Sequence, residues 1–332
     1  MAYVLRHSYS MAAPLVAVLG ALLGACGSER GGGSLAGSVA NCNDAFESLV
    51  RPVTPSFVES IRPLAVGAQM PILTSSRAHD EREDLVMRAL ATACMLDGGV
   101  FATGAFADWA GTAVGGAGGS FALGEDIEVE YDAEAGGLRV SAVGEPPSDA
   151  QLEPVGWDLA EAKAQEVLST IEWHGITGSM PYSLLLVTRG GPEGFCTEET
   201  PECRAEVDAH RFVFAPIHAG VPIPATPVEV VIGNDGERRS ILVTPWDFES
   251  DGRTTVAEVS EQGGRNRLVE LVEAQHQEEA ILWEEEGRIE YSLPVSDASV
   301  DMEPIVYGRY TIGDGLPIEV SIPLSDANAP LR

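Results

Sequence analysis

Apolar residues recur at helical spacing in three stretches. Residues 80–96 open with acids and set Leu85, Ala89, Leu90 and Ala93 along one face. Residues 159–173 follow Asp158, a residue suited to cap a helix, and residues 265–275 carry Leu268, Leu271 and Val272. Period-two alternation marks strands. Ile127, Val129 and Tyr131 alternate with acids, and Leu138, Val140 and Ala142 alternate after Gly136-Gly137, which predicts a hairpin. Further strands are predicted at 182–188, 205–215, 227–233 and 238–244, then at 280–284, 288–293, 304–312 and 317–322. Asn234-Asp235-Gly236 lies between two of them and reads as a tight turn, because Asn and Gly accept positive φ. Between 98 and 124 the chain is poor in charge and rich in Gly and Ala, with Phe101, Phe106 and Trp109 as the expected buried points. The stretch from Gly111 to Gly119, with its glycine run at 115–119, has no lysine after it and no dinucleotide spacing, so it reads as a mobile loop.

These elements specify an α+β protein: antiparallel sheets, each packed by a helix, in two or three modules. The expected regions are an N-terminal α+β region at 41–150, an α+β module at 151–250 and a second such module at 260–332. Residues 145–149, Glu-Pro-Pro-Ser-Asp, form a linker. Helix followed by strands occurs in both later regions. Ile232-Gly-Asn-Asp-Gly is echoed by Ile312-Gly-Asp-Gly, and Ser240-Ile241 by Ser321-Ile322. Duplication accounts for this, and so does the recurrence of Asx-Gly turns in any antiparallel sheet.

The first 25 residues belong to another class. Arg6 and His7 precede an uncharged run at 11–25, too short to span a bilayer core as a helix, and the run ends Leu23-Gly24-Ala25-Cys26. A basic start, a short apolar stretch and small residues before the cut describe a secretory signal peptide. Leu-Gly-Ala-Cys resembles the lipobox of bacterial lipoproteins, although Gly24 stands where Ala or Ser is commoner. The resemblance implies that residues 1–25 are removed, that Cys26 is acylated, and that the chain stays on a membrane through its lipid. Residues 26–40 are Gly/Ser-rich without an apolar face and read as a flexible tether. Gly27 after the cysteine, by the same resemblance, implies the outer membrane.

Charge narrows the partners. Lys and Arg number 20 against 51 Asp and Glu, a net −31. A phosphate backbone needs a basic footprint, so nucleic acid is excluded. Anionic headgroups are repelled too, which leaves the lipid as the hold on the membrane. Setting Cys26 aside, four of the five cysteines remain, an even number suited to disulfides in an oxidising compartment. Cys196 and Cys203 flank a polar loop that is easily closed, which leaves Cys42 for Cys94; the two other connectivities stay open. A zinc site is the alternative, but Cys-x6-Cys is the wrong spacing and no paired histidine accompanies it.

A second resemblance rests on Leu159-Ala-Glu-Ala-Lys-Ala-Gln, Arg211-Phe-Val-Phe, Gly220-Val-Pro-Ile and Val228-Glu-Val-Val-Ile-Gly-Asn-Asp-Gly. Together they resemble a PepSY-type domain over 157–245, with a fainter trace in 260–325. Such modules place one helix on an antiparallel sheet, and the resemblance implies binding of a protein or peptide partner, with no catalytic residues to carry over. The segment between Cys196 and Cys203 is an insertion relative to that pattern.

Candidate chemistry is sparse. Asp247, Glu249, Asp251, Gly252 and Glu258 come close to the spacing of a calcium loop, in which alternate oxygens surround the ion. Glu249 is one carbon too long, and Thr254 stands where an apolar β-branched residue usually pins the loop, so a solvated linker is the competing account. Histidines 79, 174, 210, 218 and 276 are scattered, and neither His-Glu-x-x-His nor Gly-x-Ser-x-Gly is present. The expected function is that of a lipid-anchored envelope protein binding a protein or peptide, without catalysis and without a cofactor. The alternatives are an envelope hydrolase whose site assembles only on folding and a calcium-binding surface protein.

Overall fold

Alternation becomes structure most directly in the hairpin. The computed structural model describes residues 39–42, 61, 63–77, 82–96, 100–102, 104–116, 118–123, 125–133, 136–143, 155–174, 176–177, 180–191, 194–196, 209–244, 246–276, 280–291, 301–313, 315–326 and 330–331. Strand β5 (Ile127–Asp132) buries Ile127, Val129 and Tyr131 and exposes the acids between them; β6 (Gly137–Ala142) pairs with it antiparallel. Before them lie β1 (Val39–Asn41), β2 (Gln69–Arg77), helix α1 (Arg82–Leu96), β3 (Val100–Ala102), helix α2 (Gly104–Val114) and β4 (Gly118–Ala122).

Of the stretch expected to be a mobile loop, residues 111–114 end α2, 115–116 form a turn and 118–119 open β4. Alanine in α2 favours the helix, and its apolar side buries Phe106, Ala107, Ala110 and Ala113. Phe106, Trp109 and Phe121 meet with ring centroids 5.3–5.7 Å apart. Gly118 enters β4 at φ +88°, and a Cβ there would fall on the carbonyl oxygen of Tyr131 in β5. The glycines that read as looseness include one that a close strand pairing requires.

Helix α3 (Trp157–Trp173) buries Ala160, Ala164, Val167, Leu168 and Ile171, the i, i+4, i+7 stripe of an amphipathic helix. Strands β7 (Tyr182–Gly191), β8 (Gly194–Cys196), β9 (Ala209–His218), β10 (Val221–Pro222), β11 (Val228–Gly233) and β12 (Arg238–Val243) follow. With β4, β5 and β6 they form a nine-stranded antiparallel sheet in the order β4-β5-β6-β12-β11-β9-β7-β8, with β10 on β9. The line drawn at 150 therefore runs through a shared sheet, because β6 pairs with β12 from Val243↔Leu138 to Ser240↔Ser141. Helices α1 and α3 cover one face, and Val86, Leu90, Ile171, Phe212, Phe214, Val230 and Ile241 are buried between. Arg88 of α1 is also buried and donates to the Ile176 carbonyl at 2.6 Å.

Strand β13 (Trp246–Val256) leaves this sheet and pairs with β2, whose other side takes β15 (Asp301–Met302). Helix α4 (Glu261–Gln275) begins at Ser260, whose hydroxyl accepts from the Gly263 N–H at 3.1 Å. It lies on a three-stranded sheet, β14-β16-β17, made of β14 (Ile281–Tyr291), β16 (Pro304–Ile312) and β17 (Ile318–Pro323). The two strands expected at 280–284 and 288–293 are one strand, irregular on either side of Glu285. Helix and sheet approach through glycines: a Cβ on Gly308 would stand 2.6 Å from Leu268 Cδ2, and one on Gly264 would stand 2.5 Å from Val306 Cγ2. A second core, with Leu73, Leu268, Val272, Tyr291, Met302, Tyr310 and Leu324, fills this part. All of these residues fall within one compact unit, Leu35–Arg332. The fold is α+β, and no helix among the described residues is long and apolar enough to cross a membrane.

Candidate functional site

Sheet edges offer unpaired N–H and C=O groups, and proteins usually guard them with charge, proline or brevity. Among the described residues the edges follow that rule with one exception. Strand β4 is five residues long and opens with two glycines; β17 carries Glu319 and Pro323; β13 carries Asp247, Glu249, Asp251 and Arg253. Strand β7 pairs with β9 along one side from Tyr182 to Gly190, but on its other side β8 meets only Arg189, Gly190 and Gly191. Residues 182–188 (Tyr-Ser-Leu-Leu-Leu-Val-Thr) therefore form an edge with no strand beyond it among the described residues. They carry neither a charge nor a proline. The one irregularity is a register shift between Leu184 and Leu186.

Neighbouring groups give this edge a shape. Tyr182 is buried, and Leu184 and Val187 pack against the main core, whereas Leu186 is 41% exposed. The start of β7 is tied to α3: the Tyr182 N–H donates to Glu172 Oε1 at 2.9 Å. Burial pushes the Glu172 carboxyl above its ordinary range, and this hydrogen bond draws it back in part. The next residue, Trp173, ends the helix with 74% of its surface exposed. An unguarded apolar edge with an exposed tryptophan beside its anchor suits an added extended strand.

Elsewhere charged groups are spent on structure. Glu229 of β11, 4% exposed, accepts from Arg139 of β6 at 3.2 Å and from Arg211 of β9, tying three strands of the large sheet together. On the small sheet Arg288 donates from Nε to Glu290 and from Nη1 to Glu285, both at 2.7 Å. Asp301 and Arg253 form an exposed two-pronged pair at 2.6 Å, which holds the Asp301 carboxyl below its ordinary range.

The residues singled out from sequence are dispersed. Cys42 and Cys94 are joined by a disulfide with Cα atoms 5.5 Å apart, linking the end of β1 to α1. Cys196 lies in β8 opposite Arg189. Cys26 with the leader, the tether up to residue 38, the linker at 145–149, Cys203 and the loop at 197–202 lie outside the described residues. Asp247, Glu249 and Asp251 fall within β13, where the backbone is extended and pairs with β2 over Trp246–Ser250 and Thr254–Val256. That segment is a strand with a bulge at Gly252, and the run beyond the glycine, Thr-Thr-Val, favours the pairing. Glu258 lies beyond the strand and is exposed. His210 packs edge-on to Trp157, His218 edge-on to Tyr291, and His276 hydrogen-bonds the Tyr310 hydroxyl at 3.0 Å. Among the described residues no group of three or more His, Cys, Asp or Glu is placed to hold a metal ion.

Compared with known proteins, the chain matches no family, no curated protein and no solved structure. Sequence reasoning did not single out Trp173 or Leu186. Leu186 lies in an apolar run that ordinarily signals a core and is left on an open edge because β8 meets only residues 189–191 of β7, whereas Trp173 is the last residue of α3, off the buried stripe of that helix.

Proposed function

We propose that this chain is a lipid-anchored protein of a bacterial cell envelope, on the outer membrane, which takes an extended protein or peptide segment onto β7 as an added strand and catalyses no reaction. The observation that carries the proposal is the edge at 182–188, which lacks the charge, proline or brevity that guards the other edges. The leader pattern ending at Cys26, the tether after it and the resemblance of 157–245 to partner-binding modules support the same reading. Main-chain hydrogen bonds would provide the affinity, and Leu186 and Trp173 the apolar contacts.

Site-specific photo-crosslinking of the full precursor in envelope preparations tests this. A photoreactive residue at Leu186 or Trp173 is expected to yield one discrete adduct with another polypeptide. The same residue at Val256, an exposed apolar position on β13, should yield none. Equal adducts at all three positions, or adducts at Leu186 within the same chain, would overturn the assignment.

A further inference from the structure

The small sheet holds a carboxylate that its surroundings do not fully balance. Glu290 of β14 is 6% exposed. In register with it lies Ile305 of β16, whose next partner is Pro323 of β17, so two apolar residues stand beside it across the sheet. Its hydrogen-bonded cation is Arg288, and that guanidinium is divided: it also holds Glu285 and lies over the Tyr307 ring, 5.3 Å from the centroid. From β17, Glu319 adds a further negative charge and accepts from the Tyr307 hydroxyl. Arg309, in register between Glu285 and Glu319, is paired at 2.9 Å with Glu284. This connected set contains four carboxylates, Glu284, Glu285, Glu290 and Glu319, and two guanidiniums. Among the described residues, other polar groups near this end of the sheet are engaged elsewhere. Tyr291 donates to the Pro71 carbonyl of β2 at 2.9 Å and meets His218 of β9 edge-on, and Glu303 accepts from Ser325 at 2.7 Å.

We propose that Glu290 makes the β14-β16-β17 sheet proton-responsive, so that the sheet and its tie to β2 through Tyr291 tighten as the medium is acidified. Burial disfavours the charged carboxylate, and the shared Arg288 recovers only part of that loss. Burial, with the charges of Glu285 and Glu319, pushes the Glu290 carboxyl up from 4.5 to about 7 against the pull of Arg288. A carboxyl raised on folding is protonated first in the folded state. Its contribution is full below the unfolded value and is lost as pH rises through the folded one.

Hydrogen exchange followed by mass spectrometry at several pH values tests the proposal on the full chain, with intrinsic exchange corrected. Between pH 8 and 5.5 the protection of β14 amides is expected to rise on the order of 25-fold, while that of β9 and β11 stays level. Glu290→Gln should remove the rise. In Glu319→Gln, which takes away a neighbouring charge and leaves Glu290 in place, the midpoint should move to lower pH. That second variant decides the matter if the first does not fold. A flat parent profile, an equal rise in β9 and β11, a rise retained in Glu290→Gln, or an unmoved midpoint in Glu319→Gln would each overturn it.

Discussion

Replacing both Cys42 and Cys94 by serine removes a covalent link without leaving a free thiol at either place. The two are separated by 52 residues along the chain. In the chain-entropy account, closing a loop of that length restricts the unfolded ensemble by about 4 kcal/mol at 25 °C. The structure indicates where the loss should appear. Strands β1 and β3 pair over three residues each, Val39↔Ala102 to Asn41↔Val100, and a two-stranded ribbon of that size does not hold alone in water. Cys42 follows β1 directly, and both cysteines pack partly buried against the main core. The bond therefore holds the end of β1 against α1, which helps to keep β1 on β3. Urea unfolding of the parent and the double variant under oxidising conditions should show a lower midpoint for the variant, equivalent to about 3–4 kcal/mol. The slope should be steeper, because the released chain exposes more surface. Dithiothreitol should bring the parent toward the variant and leave the variant's midpoint in place. If parent and variant unfold at the same midpoint without reductant, the bond does not constrain the unfolded chain and the reasoning fails.

Gly308→Ala should cost roughly 1–3 kcal/mol by overpacking, since its methyl would meet Leu268 and Trp283 under α4; a thermal melt unchanged within error would show that α4 rides up freely. Gly118→Ala combines that penalty with a positive φ and should lower stability by about 2 kcal/mol or more, read by the same melts. In Cys26→Ser precursor, incorporation of labelled fatty acid should disappear and processing by the lipoprotein route should stop; continued labelling would place the acyl chain elsewhere. With β13 paired as a strand, millimolar calcium should leave the melting temperature unchanged. A rise that vanishes in Asp247→Ala would instead support the calcium reading.

What the sequence determined was local. The helical stripes of α1, α3 and α4, the alternation in β5 and β6, and the turn at Asn234-Asp235-Gly236 depend on residues within a few positions of one another, and each lies where its pattern placed it. The glycine-rich stretch before residue 120 is a loop only at the turn of 115–116, for a local reason: glycine near a helix end and glycine at a close strand crossing have the same composition as a loop. The pairing of β2 with β13 joins residues about 170–190 positions apart and leaves no periodic trace, so those strands and the sheet shared across residue 150 could only be seen in the fold. The same holds for the two chemical features. Leu186 sits in an apolar run, and its open side shows only once the sheet order leaves β7 beside the three-residue β8. Glu290 was one of 51 acids until β14, β16 and β17 buried it beside a guanidinium shared with Glu285. Patterning within a segment reports which face of it is buried. Which segment ends a sheet, and which charge lacks a full partner, depend on long-range pairing that tertiary structure alone decides.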